Sequence, residues 1–178
     1  MAAPHNPKRY GETWPQNKIN ACLNELHYIR PWVILSGGWA WHFISPPGHK
    51  ELKHAHDHKD IDIFVRPDNV GLVIQMLFSR GFDKVRTRYD GLKNNKDFRR
   101  YEKIVKDFRV TIDFFVDKDI PILNIDGWLV VEPKYLLSLY SSVHSSDACF
   151  AVRAASKLIE REQDPVHRKE LVQIPGSK

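Results

Sequence analysis

Two aspartates, Asp60 and Asp62, lie two residues apart in an otherwise apolar segment and are the first candidates for chemistry in this sequence. In a β-strand, residues two apart project to the same face, about 6.6 Å from each other along the chain. Aspartate is disfavoured in strands, and two parallel carboxylates repel each other. A divalent cation between the carboxylates would offset both the low strand preference of aspartate and the repulsion. The alternative without chemistry is that both aspartates lie on an exposed edge of the sheet.

A third acid, Asp113, lies inside the apolar run of residues 110–116. A carboxylate in such a run is seldom buried without a partner. If its strand lies beside the strand of Asp60 and Asp62, three carboxylates converge on one point. Hard oxygen ligands of this kind suit Mg²⁺ or Mn²⁺. We therefore predict a divalent metal site at the three aspartates, with an ordinary salt bridge at Asp113 as the alternative.

A pair of glycines, Gly37 and Gly38, follows Ser36 where an apolar strand turns into a short helix. Glycine admits backbone angles closed to other residues and lets a ligand approach the main chain. The N-terminus of the following helix offers unpaired N–H groups to a phosphate. An ordinary tight turn is the alternative, but the acid pair about twenty residues further on favours a cradle for the phosphates of an NTP.

These motifs together resemble the signature of the DNA polymerase beta-like nucleotidyltransferase superfamily. The matching segments are Ser36-Gly37-Gly38-Trp39-Ala40 and His58-Lys59-Asp60-Ile61-Asp62-Ile63. They are most similar to the aminoglycoside and lincosamide nucleotidyltransferases, in which Gly-Gly-Trp precedes a His-x-Asp-x-Asp strand. The resemblance covers residues 31–116, with Asp113 as the third acid on a later strand. The chain departs from the family in the longer, histidine-rich spacer between its two motifs.

The resemblance implies a metal-dependent transfer of a nucleoside monophosphate from an NTP to a hydroxyl-bearing acceptor, with release of pyrophosphate. It implies two ions, Mg²⁺ or Mn²⁺, of which one lowers the pKa of the acceptor hydroxyl and the other holds the triphosphate. The general base would be Asp113. The implied metal ligands and catalytic residues are Asp60, Asp62 and Asp113. The implied contacts to the NTP phosphates are Ser36, Gly37, Gly38, His58 and Lys157.

Three other functions compete with this interpretation. A non-catalytic member with a regulatory or toxin–antitoxin-like role would bind nucleotide without transferring it. A metal-dependent phosphohydrolase would release phosphate in place of pyrophosphate. Finally, His54, His56 and His58 suggest a zinc hydrolase, but the segment lacks one residue of the motif His-x-His-x-Asp-His, so the ligand geometry would not carry over.

Hydrophobic periodicity predicts the elements that position these residues. Helices are expected at about 17–29, 39–44, 68–80, 134–143 and 147–161, and strands at 32–35, 60–65, 84–88, 99–105, 108–116 and 129–131. This order predicts an α/β (α+β) chain with the minimal nucleotidyltransferase fold, a small mixed β-sheet flanked by helices. We expect a single domain over 1–178, with a polar tail at 1–16, a core at about 17–131 and a short C-terminal helical extension at about 132–172.

Composition limits the setting in which the chain works. Its 178 residues, 42% of them hydrophobic, suit one well-buried core. The only cysteines, Cys22 and Cys149, are far apart and form no disulfide framework. The first residues lack the apolar core of a signal peptide, and no segment reaches the length of a membrane span. We expect a soluble cytoplasmic protein without a membrane partner; a monomer is compatible with the sequence.

The net charge of +5 is concentrated in one stretch of the chain. Residues 84–109 contain ten basic and four acidic residues, a net charge of +6, so the rest of the chain is close to neutral. A localised excess of positive charge indicates an anionic partner, and a solvated sheet face is the alternative. We therefore predict an acidic small-molecule or nucleic-acid acceptor. A basic surface also disfavours polycationic aminoglycosides as acceptors.

Overall fold

The computed structural model describes residues 14–44, 58–90, 92, 97–141 and 156. Four helices are present in this part of the chain: α1 at Gln16–His27, α2 at Gly37–Ile44, α3 at Val70–Ser79 and α4 at Pro133–Ser141. Short 3₁₀ segments occupy Arg30–Trp32 and Pro67–Asn69. None of these helices combines the length and apolarity needed to cross a membrane.

Seven strands form one mixed sheet in the order β3-β4-β5-β2-β1-β7-β6. The strands β1 to β7 are Val33–Leu35, Ile61–Val65, Asp83–Val85, Phe98–Val105, Phe108–Val116, Ile122–Ile125 and Trp128–Val131. β2 runs parallel to β5 and antiparallel to β1, while β1 runs parallel to β7. This confirms the predicted α/β class and mixed sheet.

The alternation in β2 separates a buried face of the sheet from a half-exposed one. Ile61, Ile63 and Val65 are at most 1% exposed and belong to the hydrophobic core, whereas Asp62 and Phe64 project to the other face. α1 contributes Ile19, Cys22 and Leu26 to the core at helical spacing. Full burial of such a side chain stabilises the fold by about 1.5–3 kcal/mol. The buried face therefore fixes the register and leaves the other face available for polar groups.

Several predicted boundaries shift. α1 begins after Pro15, whose carbonyl accepts from the N–H groups of Lys18 and Ile19, so the helix starts one residue before the predicted position. α2 begins at Gly37 in place of residue 39, which brings both glycines into its first turn. β2 begins at Ile61, so Asp60 lies just ahead of the strand.

The predicted strand at 84–88 is wrong in length and in position. β3 ends at Val85, because Asp90 accepts hydrogen bonds from the backbone and the hydroxyl of Thr87 and closes a turn there. Arg86 and Arg88 therefore lie outside the strand. The alternation of basic residues at 84–88 also predicts a basic strand next to the strand of Asp113. This is wrong, because β4 lies between β3 and β5 in the sheet.

The hairpin predicted around Lys106-Asp107 is confirmed as β4 and β5. β6 was not predicted; it pairs with β7 through a turn in which Asp126 and Gly127 both have positive φ, 51° and 79°. The second C-terminal helix predicted at 147–161 and the histidines of the spacer lie outside the described residues, apart from Ser156 and His58. The division into a core and a C-terminal extension stays a prediction.

Candidate active site

Asp62 and Asp113 stand opposite each other on adjacent strands. The parallel register of β2 and β5 makes them direct partners, and neighbouring strands lie about 4.8 Å apart. Both side chains project to the sheet face away from the core. Asp60 precedes β2 and lies on the same side, with its side chain 25% exposed. The convergence expected from the sequence therefore has its structural basis in the pairing of β2 with β5.

Arg100, on β4, lies on the other side of Asp113 from Asp62. Asp62, Asp113 and Arg100 thus form a row across three strands, which we call the charged row. Arg100 is the antiparallel partner of Asp113, and its guanidinium donates two hydrogen bonds to the carboxylate, Nε to Oδ1 at 2.6 Å and Nη2 to Oδ2 at 2.7 Å. The same group lies 3.8 Å from Asp60 Oδ2. These hydrogen bonds, and the charge of both aspartates, raise the pKa of Arg100 above its usual value. A fixed positive charge thus already faces two of the three acids.

Sequence reasoning missed Arg100 because it was counted only as part of the basic stretch. The hairpin turn at Lys106-Asp107 was available as a signal. With Val105 opposite Phe108, counting outward from the turn places Arg100 opposite Asp113. A basic residue opposite an acid in an otherwise apolar strand predicts an ion pair.

The glycine turn lies against the acid pair. Gly37 has φ +56°, a left-handed conformation, and a Cβ at this position would overlap Asp62 Oδ2 and lie 3.1 Å from its Cγ. The backbone N–H of Ser36 donates to the backbone carbonyl of Asp62 at 2.8 Å. Ser36, Gly37 and Gly38 are all buried. The end of β1 and the first turn of α2 are therefore held directly beside the carboxylate of Asp62.

His58 lies inside the protein and is only 3% exposed. Its Nδ1 accepts from the backbone N–H of Trp14 at 3.3 Å, so its proton is on Nε2, which faces His42 Nδ1 at 3.4 Å. The edge of His58 packs against Trp39, with ring centroids 5.0 Å apart. Burial lowers the pKa of His42 below its usual value, which favours the neutral form of that partner. The geometry places His58 as a support beneath α2, and its predicted phosphate contact stays a prediction; Lys157 lies outside the described residues.

The donor set suits a hard cation only in part. Asp60 and Asp62 offer the carboxylate oxygens that Mg²⁺ or Mn²⁺ prefers. Both oxygens of Asp113 are already hydrogen-bonded to Arg100. Across the described ranges, no group of three or more His, Cys, Asp or Glu residues is arranged to hold a metal ion. In a three-carboxylate site, a cation would therefore share Asp113 with Arg100 or displace it, since each oxygen keeps a further lone pair.

Comparison with family models and with curated protein sequences found no match. Among solved structures, the chain is similar to the lincosamide antibiotic adenylyltransferase LnuA bound to lincomycin, with 13% identity and a TM-score of 0.52 over 83% of this chain and 99% of that one. ANT(2'')-Ia in complex with adenylyl-2''-tobramycin matches at 14% identity and a TM-score of 0.49, over 86% and 94% of the two chains. The chain thus shares its fold with the lincosamide nucleotidyltransferase LnuA, as the motif resemblance predicts.

Proposed function

We propose that this chain is a metal-dependent nucleotidyltransferase, which transfers a nucleoside monophosphate from an NTP to a hydroxyl-bearing acceptor and releases pyrophosphate. The observation that carries the proposal is the pairing of Asp62 with Asp113 beside the Gly37 turn, on two strands in the middle of the sheet. LnuA, which shares the fold, is an adenylyltransferase, and this supports the same reaction type here.

The first turn of α2 is the proposed binding site for the triphosphate. The backbone N–H groups at the start of a helix have no partners within the helix, and its dipole favours negative charge. Gly38 has no side chain that could block phosphate oxygens from those groups, and Gly37 brings them beside the carboxylate of Asp62. Ser36, immediately before the helix, extends this cradle. Mg²⁺ or Mn²⁺ held by Asp60, Asp62 and Asp113 would, when bound, neutralise the triphosphate and make the acceptor hydroxyl easier to deprotonate.

Asp113 is the proposed general base for the acceptor hydroxyl. It is 7% exposed and lies on the side of Asp62 away from the glycine turn. Both of its oxygens accept hydrogen bonds from Arg100, so the guanidinium occupies the space in front of the carboxylate. The proposed role therefore requires Arg100 to move away from at least one oxygen, so that the acceptor hydroxyl can face Asp113.

A second candidate, nucleotide binding without transfer, is favoured by the same ion pair. If Arg100 keeps both oxygens of Asp113, the triphosphate can still bind at α2 and the acid pair, but Asp113 does not face the acceptor hydroxyl. In that case Mg²⁺-ATP binds and pyrophosphate is not formed. The two candidates share the binding site and differ only in turnover.

The experiment is to titrate Mg²⁺-ATP into the wild type, Asp60→Ala and Asp62→Ala, and to assay pyrophosphate in the same samples. Asp119→Ala is the matched control, because Asp119 is an exposed aspartate beyond β5. We expect at least tenfold weaker binding in both site variants, with circular dichroism unchanged, because these acids serve the ligand and not the core. Wild-type affinity in both variants would contradict the proposal; release of orthophosphate in place of pyrophosphate would indicate a phosphohydrolase.

A further inference from the structure

A row of aromatic side chains lies next to the charged row on the open face of the sheet. The pairing that sets Asp62 opposite Asp113 continues two residues further with Phe64 opposite Phe115. Phe115 is in turn the partner of Phe98 on β4. Because residues two apart on a strand share a face, these rings project on the same side as the acids.

The rings form a continuous surface. Centroid distances are 5.4 Å from Phe64 to Phe115, 5.2 Å from Phe115 to Phe98 and 5.7 Å from Phe98 to Tyr89. None of the four rings is fully buried, and Tyr89 is 36% exposed. We call these four residues the aromatic row. Rings held partly open to solvent offer faces on which an apolar ligand can pack.

The aromatic row lines a cleft of about 480 Å³, a volume typical of sites for small molecules. The remaining lining residues are Asp97, Arg100, Asp113 and Val116. The charge of Arg100 is compensated by its bidentate pair with Asp113, so Asp97 leaves the described lining with a net negative charge. Such a lining has no uncompensated positive charge with which to bind a phosphate or carboxylate. It therefore argues against the acidic acceptor predicted from the basic stretch.

The position of the cleft relative to the proposed triphosphate site also indicates that the cleft binds the acceptor. Across the sheet, the glycine turn follows β1, the acids lie on β2 and β5, and the cleft extends over β4. In an in-line displacement, the attacking and leaving oxygens lie on opposite sides of the phosphorus. With the triphosphate at the glycine turn, the leaving pyrophosphate lies on the β1 side. The attacking hydroxyl then enters from the β4 side, through the cleft.

We infer that this cleft binds the acceptor, and that the acceptor is an alcohol that carries an aromatic or aliphatic ring and no negative charge; the inference rests on the proposed function. The ring packs on Phe98 and Phe115, and the hydroxyl faces Asp113. The hydroxyl oxygen forms a bond to the α-phosphorus of the NTP, and the bond from that phosphorus to the oxygen bridging to the β-phosphate breaks. Pyrophosphate leaves, and the hydroxyl proton passes to Asp113.

The test uses three probes that share one ring and differ in charge: 2-naphthylmethanol, 2-naphthoate and 2-naphthylmethylamine. Equilibrium dialysis measures their binding to the full chain in the presence of Mg²⁺ and a non-hydrolysable ATP analogue. We expect 2-naphthylmethanol and 2-naphthylmethylamine both to bind more tightly than the carboxylate, and Phe98→Ala and Tyr89→Ala each to weaken the binding of the alcohol roughly tenfold. Ile104→Ala is the control, because Ile104 lies on β4, is 63% exposed and does not line the cleft.

Three results would overturn the inference: 2-naphthoate bound at least as tightly as the alcohol, equal loss in Phe98→Ala and Ile104→Ala, or a loss of ATP-analogue affinity in Phe98→Ala that exceeds the loss for the alcohol. The last result would identify the cleft as a site for the nucleotide base. If the proposed function itself is wrong, a different observation shows it: neither Asp60→Ala nor Asp62→Ala changes the affinity for Mg²⁺-ATP. That outcome would remove the acceptor role even if the naphthyl ring still binds.

Discussion

Arg100 gives Asp113 a cationic partner in a position where nucleotide chemistry would require a divalent ion. Its guanidinium binds both oxygens of Asp113 and approaches Asp60 Oδ2 to 3.8 Å. Two carboxylates that would otherwise repel each other are thereby held close together without a metal. A cation bound there as proposed would compete with this ion pair, and the competition would set how tightly the three acids bind it.

Replacing Arg100 with glutamine should strengthen metal binding and weaken the fold. Arg100→Gln frees the carboxylate of Asp113 for a cation, so we expect roughly tenfold tighter Mn²⁺ binding, measured by electron paramagnetic resonance. The same change leaves a buried carboxylate with weaker partners and should cost about 1–3 kcal/mol of unfolding free energy. Arg109→Gln, at an exposed position on the same hairpin, should change neither quantity. Weaker Mn²⁺ binding in Arg100→Gln would show that the arginine positions Asp113 for the metal.

Gly37 is the glycine at which an added methyl group should be most damaging. In Gly37→Ala the new Cβ overlaps the Asp62 carboxylate, and the φ of +56° costs any other residue about 1–2 kcal/mol. We expect loss of Mg²⁺-ATP binding together with a lower melting temperature. Gly71→Ala is the matched control, since a Cβ there meets nothing within 4 Å and alanine favours a helix. Equal nucleotide affinity in the two variants would reduce the Gly37 turn to a purely structural role.

The acids and the glycine turn could be found from the sequence because their residue types conflict with their surroundings. Asp62 and Asp113 interrupt apolar strands, Asp60 directly precedes one, and Gly37-Gly38 lies between a strand and a helix. Arg100 could not be recognised by type, because arginine is ordinary in an exposed strand. Its role follows from its register with Asp113, which is found only by counting outward from the hairpin turn at Lys106-Asp107.

At the scale of the elements, α1 buries a thiol whose ionisation opposes folding. Cys22 is fully buried, and burial raises the pKa of its thiol to about 12, with a further contribution from Glu25. In the unfolded chain the thiol ionises near its usual pKa of about 8.5. Above that pH the unfolded state has released a proton that the folded state keeps. The stability associated with Cys22 is therefore fully present below about pH 8.5 and is lost as the pH rises towards 12.

The prediction is tested by urea unfolding at pH 8 to 10 in a Cys149→Ala background, where Cys22 is the only thiol. We expect the free energy of unfolding to fall more steeply with pH than in the Cys22→Ala, Cys149→Ala double variant. The difference in slope should approach about 1.4 kcal/mol per pH unit above the pKa of the unfolded thiol. Parallel curves for the two proteins would mean that the thiol ionises equally in the folded and unfolded states.

Elements with strong periodicity were predictable, and those defined by a few polar contacts were not. The alternation in β2 and the hairpin of β4 and β5 follow from the hydrophobic pattern. β3 ends early because the Asp90 side chain holds the Thr87 backbone, a local contact that competes with strand pairing. β6 is mostly exposed and has little hydrophobic alternation, but the Asp126-Gly127 turn before β7 was a readable hairpin signal.

At the scale of the whole molecule, the basic stretch at 84–109 is partly neutralised by its own surroundings. Within the described part of that stretch, four of the basic residues form ion pairs: Lys84 with Asp90, Arg109 with Glu102, Lys103 with Glu25 and Arg100 with Asp113. The last two acids lie outside the stretch and reduce its local excess of charge. Composition alone could not show this, because the partners come from α1 and β5. The binding of an acidic or nucleic-acid acceptor there stays a prediction with weaker support than the aromatic cleft.

The transfer of the α-phosphate is the central claim, and it is tested most directly with ATP labelled in parallel at the α- and the γ-phosphate. The full chain is incubated with Mg²⁺ and a panel of uncharged ring alcohols that includes 2-naphthylmethanol. We expect the α-label to move to an alcohol and the γ-label to leave as pyrophosphate, in equal amounts, and both to be absent in Asp62→Ala. A γ-label recovered as orthophosphate, or an α-label that stays in ATP although the wild type binds it, would contradict nucleotidyl transfer.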